Sequence, residues 1–130
     1  MIIGTGIDIV SVGRITHLID RYGRRFLAKY YSDGEIERGL ALPGPGRDRF
    51  FAARFAAREA FFKALGTGWG RGIALREVAV ERNEAGRPSI ALTGRAAEAA
   101  AERHIAAIHL SLAHEGSIAQ AIVILEGGPP

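Results

Sequence analysis

The chain has 130 residues, a length that fits a single domain over residues 1–130 with a real core. It has no cysteine, which excludes a disulfide framework and a thiolate metal site, and no apolar run approaches the ~18–20 residues that span a bilayer. The net charge of +3 suits a phosphate-rich ligand or an acidic partner, with nucleic acid as the generic alternative.

Ile2–Val10 reads as a first strand that delivers one carboxylate, Asp8. Its start, MIIGTGIDIV, lacks a basic leading region and meets Asp8 early, so it is expected to be a strand and not a signal peptide. Ser11 is a candidate cap for a helix from Val12 to Phe26, with Ile15, Leu18, Ile19, Tyr22 and Phe26 as its apolar stripe. Arg14, Arg21 and Arg25 fall on one flank of that helix, as a solvated face or a docking row. Ser32 with Glu35 fits a capping box for a short helix ending near Leu42, and Pro43-Gly44-Pro45-Gly46 is expected to break it.

Arg47 and Asp48 then lead into a long helix ending near Leu65. At about 100° per residue, Phe51, Phe55, Phe61, Phe62 and Leu65 form a wide apolar stripe. Glu59 and Lys63 fall on its edge and face each other as an i,i+4 pair. Arg54 and Arg58 fall inside the apolar arc, where a cation needs a reason. The reasons are snorkelling of the charged heads to water, or an anionic ligand or partner chain at that face. Gly66 to Gly72 read as a glycine-rich flexible connection, with Gly66 either a helix cap or a point of close approach to a ligand.

Val78 and Val80 share one side of a strand, Asn83 to Gly86 supply a hairpin turn, and Ile90-Ala91-Leu92 begin the return. Gly94–His104 is expected to be helical. In Ile105–Ala113, Ile108, Leu110 and Leu112 share one face, and His109, Ser111 and Ala113 share the other. Glu115-Gly116 makes a turn into a last strand, Ile118–Leu125, ahead of a frayed tail. Helices early and antiparallel strands late argue for an α+β fold.

Asp8 and Glu59, far apart in sequence, with Lys63 one turn from Glu59, point to a divalent metal that grips phosphate oxygens. Magnesium takes one or two protein carboxylates and fills its octahedron with water and substrate phosphate.

GTGIDIVSVGRI at Gly4–Ile15 and RFAAREAFFKALGTG at Arg54–Gly68 resemble the two signature blocks of the holo-(acyl-carrier-protein) synthase family, small 4'-phosphopantetheinyl transferases of fatty-acid synthesis. NEAGRPSI at Asn83–Ile90 and HLSLAH at His109–His114 are weaker matches in the same order, and the resemblance runs over nearly the whole chain. It implies that a serine of an apo acyl carrier protein attacks coenzyme A, giving the holo carrier protein and 3',5'-ADP. It also implies an antiparallel sheet packed on a long helix, Mg2+ on Asp8 and Glu59, a cytoplasmic homotrimer with coenzyme A between subunits, and no role for nucleic acid or membrane. On this reading Glu59 is the candidate base, directly or through water, and Lys63 stabilises the leaving phosphate. Arg54, Arg58 and Gly66 belong to the coenzyme A site, Arg87-Pro88 lie near the adenine and His114 near the nucleotide, while Arg14, Arg21 and Arg25 dock the carrier protein. The family usually has lysine where this chain has Arg58; arginine keeps the charge and grips phosphate bidentately but holds its proton near neutrality. Two further readings are a metal-dependent hydrolase of a nucleotide diphosphate and a small basic nucleic-acid-binding module.

Overall fold

A computed structural model describes residues 1–66 and 72–129. In chain order the elements are β1 (Ile2–Ser11), α1 (Val12–Tyr22), α2 (Arg24–Tyr30), α3 (Asp33–Leu40), α4 (Gly44–Leu65), β2 (Val78–Arg82), β3 (Pro88–Leu92), α5 (Gly94–Glu102), β4 (Ile105–Glu115) and β5 (Ile118–Gly127). One antiparallel sheet has the order β1-β5-β4, and β2 pairs with β3 as a separate hairpin. The architecture is α+β, with α4 lying across the inner face of the larger sheet. Among the described residues no helix is long and apolar enough to cross a membrane.

Strand parity sorts the sheet. Gly4, Gly6, Asp8 and Val10 share the inner face of β1, opposite Leu125, Val123, Ala121 and Ala119 of β5. Gly4 and Gly6 have a steric reason: a β-carbon on either would enter the carbonyl oxygen of Ala64 or Ala60 on α4. Strand and helix backbones thus touch directly, which brings Asp8, one strand repeat further on, against the last turns of α4. The outer face is apolar and open, with Ile7, Ile9, Ile118 and Ile122 all exposed.

Two expected boundaries move. The helix expected over Val12–Phe26 is two helices, because Gly23 adopts φ 53° and turns the chain. Ser11 caps α1 through its extended backbone but not with its side chain. The Pro-Gly-Pro-Gly segment does end α3, yet α4 already begins at Gly44 and carries Pro45 in its first turn, where a missing N–H costs nothing. The capping box of α3 is present, with Ser32 Oγ accepting from Glu35 N and the Glu35 carboxylate accepting from Ser32 N. Gly66 ends α4 in the left-handed conformation. Of the expected glycine-rich connection, residues 67–71 lie outside the described residues.

The core joins α4 to every layer. Phe26, Tyr30, Tyr31, Phe51 and Phe55 form an aromatic cluster with centroid separations of 4.9 to 6.5 Å. The buried Tyr31 hydroxyl donates to the Phe51 carbonyl at 2.8 Å, and burial pushes its titration far above the usual phenol range.

Candidate active site

Asp8 of β1 and Glu59 and Lys63 of α4 converge at one end of the helix–sheet contact. Lys63 Nζ donates to Asp8 Oδ1 at 2.9 Å and to the Ile7 carbonyl at 3.0 Å. The lysine therefore reaches across to the strand, beyond the helix neighbour Glu59 that its spacing suggests. Glu59 is half-buried, and its carboxyl titrates above the usual range, first because burial disfavours its charge and then because Asp8 is close. Lys63 and Arg14 pull the other way.

The two carboxylates are oxygen donors for a hard cation, and the Lys63 ammonium stands against Asp8 beside them. The mutual repulsion of Asp8 and Glu59 is what a divalent ion would relieve, so the residues fit magnesium. Among the described residues no group of three or more histidine, cysteine or acidic side chains forms a self-sufficient metal cage. A cation here would take its remaining ligands from water and a bound phosphate.

Arg54 and Arg58, expected at the coenzyme A site, are not part of this cluster. They face away from it, toward α3 and β2, and neither head reaches water as snorkelling requires. Arg58 is fully buried and its guanidinium is spent inside the chain: Nη1 donates to Glu35 Oε2 at 3.0 Å, Nη2 to Glu35 Oε1, and Nε to the Leu75 carbonyl at 3.2 Å. Arg54 lies 3.6 Å over the Phe50 ring, with its Nε 3.9 Å from Glu35. Burial pulls Arg54 down to about 10, still cationic at neutrality.

The other expected residues divide. Arg87 and Pro88 line a groove of about 730 Å³ between the hairpin and β4, and its remaining wall includes His109 and Ser111. His109 Nε2 lies 2.8 Å from Glu126, so the outward face of β4 carries a polar pair that sequence reading left undecided. His114 does not join this groove; it lines a separate hollow with Ile9, Ile118 and Gln120. The Arg87 groove abuts β4, and Asp8 is on β1, the opposite edge of the sheet, two strand spacings or ~10 Å away. Gly66 is exposed at the C-terminus of α4, one turn beyond Lys63.

Arg14, Arg21 and Arg25 do not form one row, because Arg25 belongs to α2. Arg14 sits 5.4 Å over the Phe55 ring and its charge is felt by Glu59. Arg21 donates to the Tyr22 hydroxyl at 3.1 Å. Arg25 borders a hollow of about 290 Å³ with Leu18, Tyr22, Phe26, Lys29 and Tyr30. Glu35 was missed as more than a cap; its only sequence signal was the Ser32–Glu35 spacing.

The 4'-phosphopantetheinyl transferase superfamily matches residues 4–121. The chain is 42% identical over 127 residues to holo-(acyl-carrier-protein) synthase of Syntrophus aciditrophicus, covering 98% of both chains. It is 44% identical to that of Treponema denticola, over 98% of this chain and 100% of the relative. Among solved structures, holo-(acyl-carrier-protein) synthase from Neisseria meningitidis superposes with a TM-score of 0.89 at 31% identity, covering 97% of this chain and 99% of that one. The enzyme from Bacillus anthracis, in complex with CoA (3',5'-ADP), gives 0.82 at 33% identity, covering 98% and 99%.

Proposed function

The chain belongs to the 4'-phosphopantetheinyl transferase superfamily, and from that membership we propose that it moves the 4'-phosphopantetheine arm of coenzyme A to a serine of an apo acyl carrier protein in cytoplasmic fatty-acid biosynthesis. The observation that carries this reading is the meeting of Asp8, Glu59 and Lys63 where β1 touches α4.

Asp8 and Glu59 are the residues to hold Mg2+, which when bound would neutralise the diphosphate of coenzyme A. Glu59 takes the serine proton, directly or through water. The serine oxygen forms a bond to the phosphorus that bears the pantetheine arm, and the bond from that phosphorus to the bridging oxygen breaks. Lys63, held beside Asp8, offers its ammonium to the departing 3',5'-ADP. Arg14 lies between this cluster and the α1–α2 hollow, so a carrier protein seated on Arg21 and Arg25 would present its serine toward Glu59.

The direct test is a mass gain equal to phosphopantetheine on apo carrier protein, dependent on coenzyme A and Mg2+. Arg21→Glu is expected to raise KM for the carrier protein about tenfold by placing like charge against an acidic partner, with KM for coenzyme A unchanged. Release of free phosphopantetheine without a carrier protein would replace transfer by hydrolysis.

A homotrimer with coenzyme A between subunits is supported by the open isoleucine face of the sheet, which is large-residue apolar surface of the kind that marks an interface. Sedimentation is expected to give three times the 13.9 kDa chain mass, and Ile122→Lys to shift it toward the monomer. An unchanged assembly in that variant would remove the sheet face from the interface.

A further inference from the structure

We propose that Glu35 is a positioning residue: through Arg58 it fixes the rotation of α4 and thus the direction of Glu59, and through Val80 it holds the β2–β3 hairpin to the same helix. This rests on the transfer reading for what Glu59 and the hairpin do, but the clamp itself stands on geometry.

Helix α4 needs such a device. Its buried residues, from Phe51 through Leu65, occupy nearly every face, so no single apolar stripe sets its rotation. One anchor is the backbone contact of Ala60 and Ala64 with Gly6 and Gly4. At about 100° per residue Arg58 lies ~160° round from Ala60, and Glu59 falls on the flank between the two anchors. A helix held on one side rocks; held on two opposite sides, it has one orientation.

The second anchor is built for angle. Glu35 is 4% exposed and Arg58 is 0%. The guanidinium meets the carboxylate with both Nη atoms, and a fork of this kind defines a plane as well as a distance. Arg58 also donates to the Arg54 carbonyl at 3.2 Å and packs 4.8 Å from the Tyr31 ring centroid, which fixes that plane against α4 itself. Glu35 Oε1 further accepts from Ser32 N and Oγ at 3.0 Å, tying it to the start of α3. Glu35 Oε2 accepts from Val80 N at 3.3 Å, and Arg58 Nε holds Leu75, just ahead of β2. One carboxylate therefore joins the helix that carries Glu59 to the hairpin that carries Arg87 and Pro88. Buried ion pairs are seldom retained for stability, and setting register is their best-attested use.

The test uses the full chain with Glu35→Gln and Arg58→Met combined. This removes both charges of the fork together; the glutamine carbonyl keeps an acceptor for Ser32 at the Oε1 position, while Val80 N loses its acceptor at the Oε2 position and Arg54 loses the carboxylate 3.9 Å from its Nε. Arg58→Lys, which keeps the charge and loses the fork, is the companion variant. The readouts are the melting temperature, Mn2+ affinity by electron paramagnetic resonance in the presence of 3',5'-ADP, and kcat and KM in carrier loading. The double variant is expected to melt several degrees below wild type, because Arg54 and Val80 N lose their partner, and, under conditions where it is folded, to bind Mn2+ about tenfold more weakly and lose kcat in proportion. KM for the carrier protein should stay unchanged, and Arg58→Lys, which keeps the charge but not the fork, should recover only part of the loss. A folded double variant with wild-type Mn2+ affinity overturns the proposal. So does a loss that follows only the unfolded fraction and vanishes on cooling. A wild-type chain that binds Mn2+ but loads no carrier protein overturns the transfer reading instead, and the Mn2+ ratio still decides for or against Glu35. If wild type binds no Mn2+, the metal assignment fails, and KM for coenzyme A in the double variant decides for Glu35 if raised and against it if not.

Discussion

Glu59→Gln should reduce carrier loading by about a thousandfold or more while leaving the protein slightly harder to melt at neutral pH. The loss combines a missing metal ligand with a missing base, each worth on the order of a hundredfold or more. The gain in melting follows from the sign of the titration. The Glu59 carboxyl holds its proton more tightly in the folded chain than in the unfolded one, because it is half-buried beside Asp8. Ionising it therefore costs stability as pH rises from its unfolded value through its folded value, and the full cost is present above both. Glutamine has no charge to ionise, so the variant escapes that cost. The difference in melting should close below the unfolded value, where wild type is protonated too. Mg2+ should raise the wild-type melting temperature and not that of the variant. Full activity in Glu59→Gln would remove both the metal and the base assignments.

The second large effect is expected from Gly6→Ala. The new methyl would occupy the space of the Ala60 carbonyl and the Ala64 amide, neither of which is a flexible side chain that yields. Helix α4 must lift off β1, at a cost of about 3 kcal/mol, or roughly 12 °C in Tm for a chain this size. Because Asp8 hangs from the same face of β1 and Lys63 bridges the same gap, metal affinity should fall further than the melting loss explains. Gly34→Ala in α3 is the control: a β-carbon there meets nothing within 4 Å, and alanine is the better helix former. A Gly6→Ala chain that melts with wild type would mean the helix is not seated on the strand backbone.

Much of this was legible in the sequence because it is local. The first strand carried Asp8, the capping box began α3, Gly66 stood as one candidate cap of α4, and alternation in β4 separated Leu110 and Leu112 from His109 and Ser111. The split at Gly23 was not legible, because Ile15, Ile19 and Phe26 keep one helical spacing across it and a lone glycine inside a helix costs only ~1 kcal/mol. The start of α4 was hidden by prolines that a first helical turn tolerates. Angle placed Arg54 and Arg58 correctly in the apolar arc but could not supply their counter-charge. Glu35 lies 23 residues from Arg58, on another helix, and meets it only in the tertiary fold. Lys63 likewise had a plausible local partner in Glu59, and the strand contact made by Gly4 and Gly6 gave it Asp8 as well, 55 residues away.

The turn at Gly23 changes what the basic residues at α1 and α2 are able to select. On one straight rod, a partner helix could slip by a full turn, ~5.4 Å, and find its charges matched again. Bent at Gly23, the two short helices instead enclose a bowl with Arg25 and Lys29 on its wall and Leu18, Phe26 and Tyr30 in its lining. A bowl offers no sliding coordinate. A carrier protein docked there, as proposed, would be indexed to a single seat, which is the accuracy needed to bring one hydroxyl to one phosphorus.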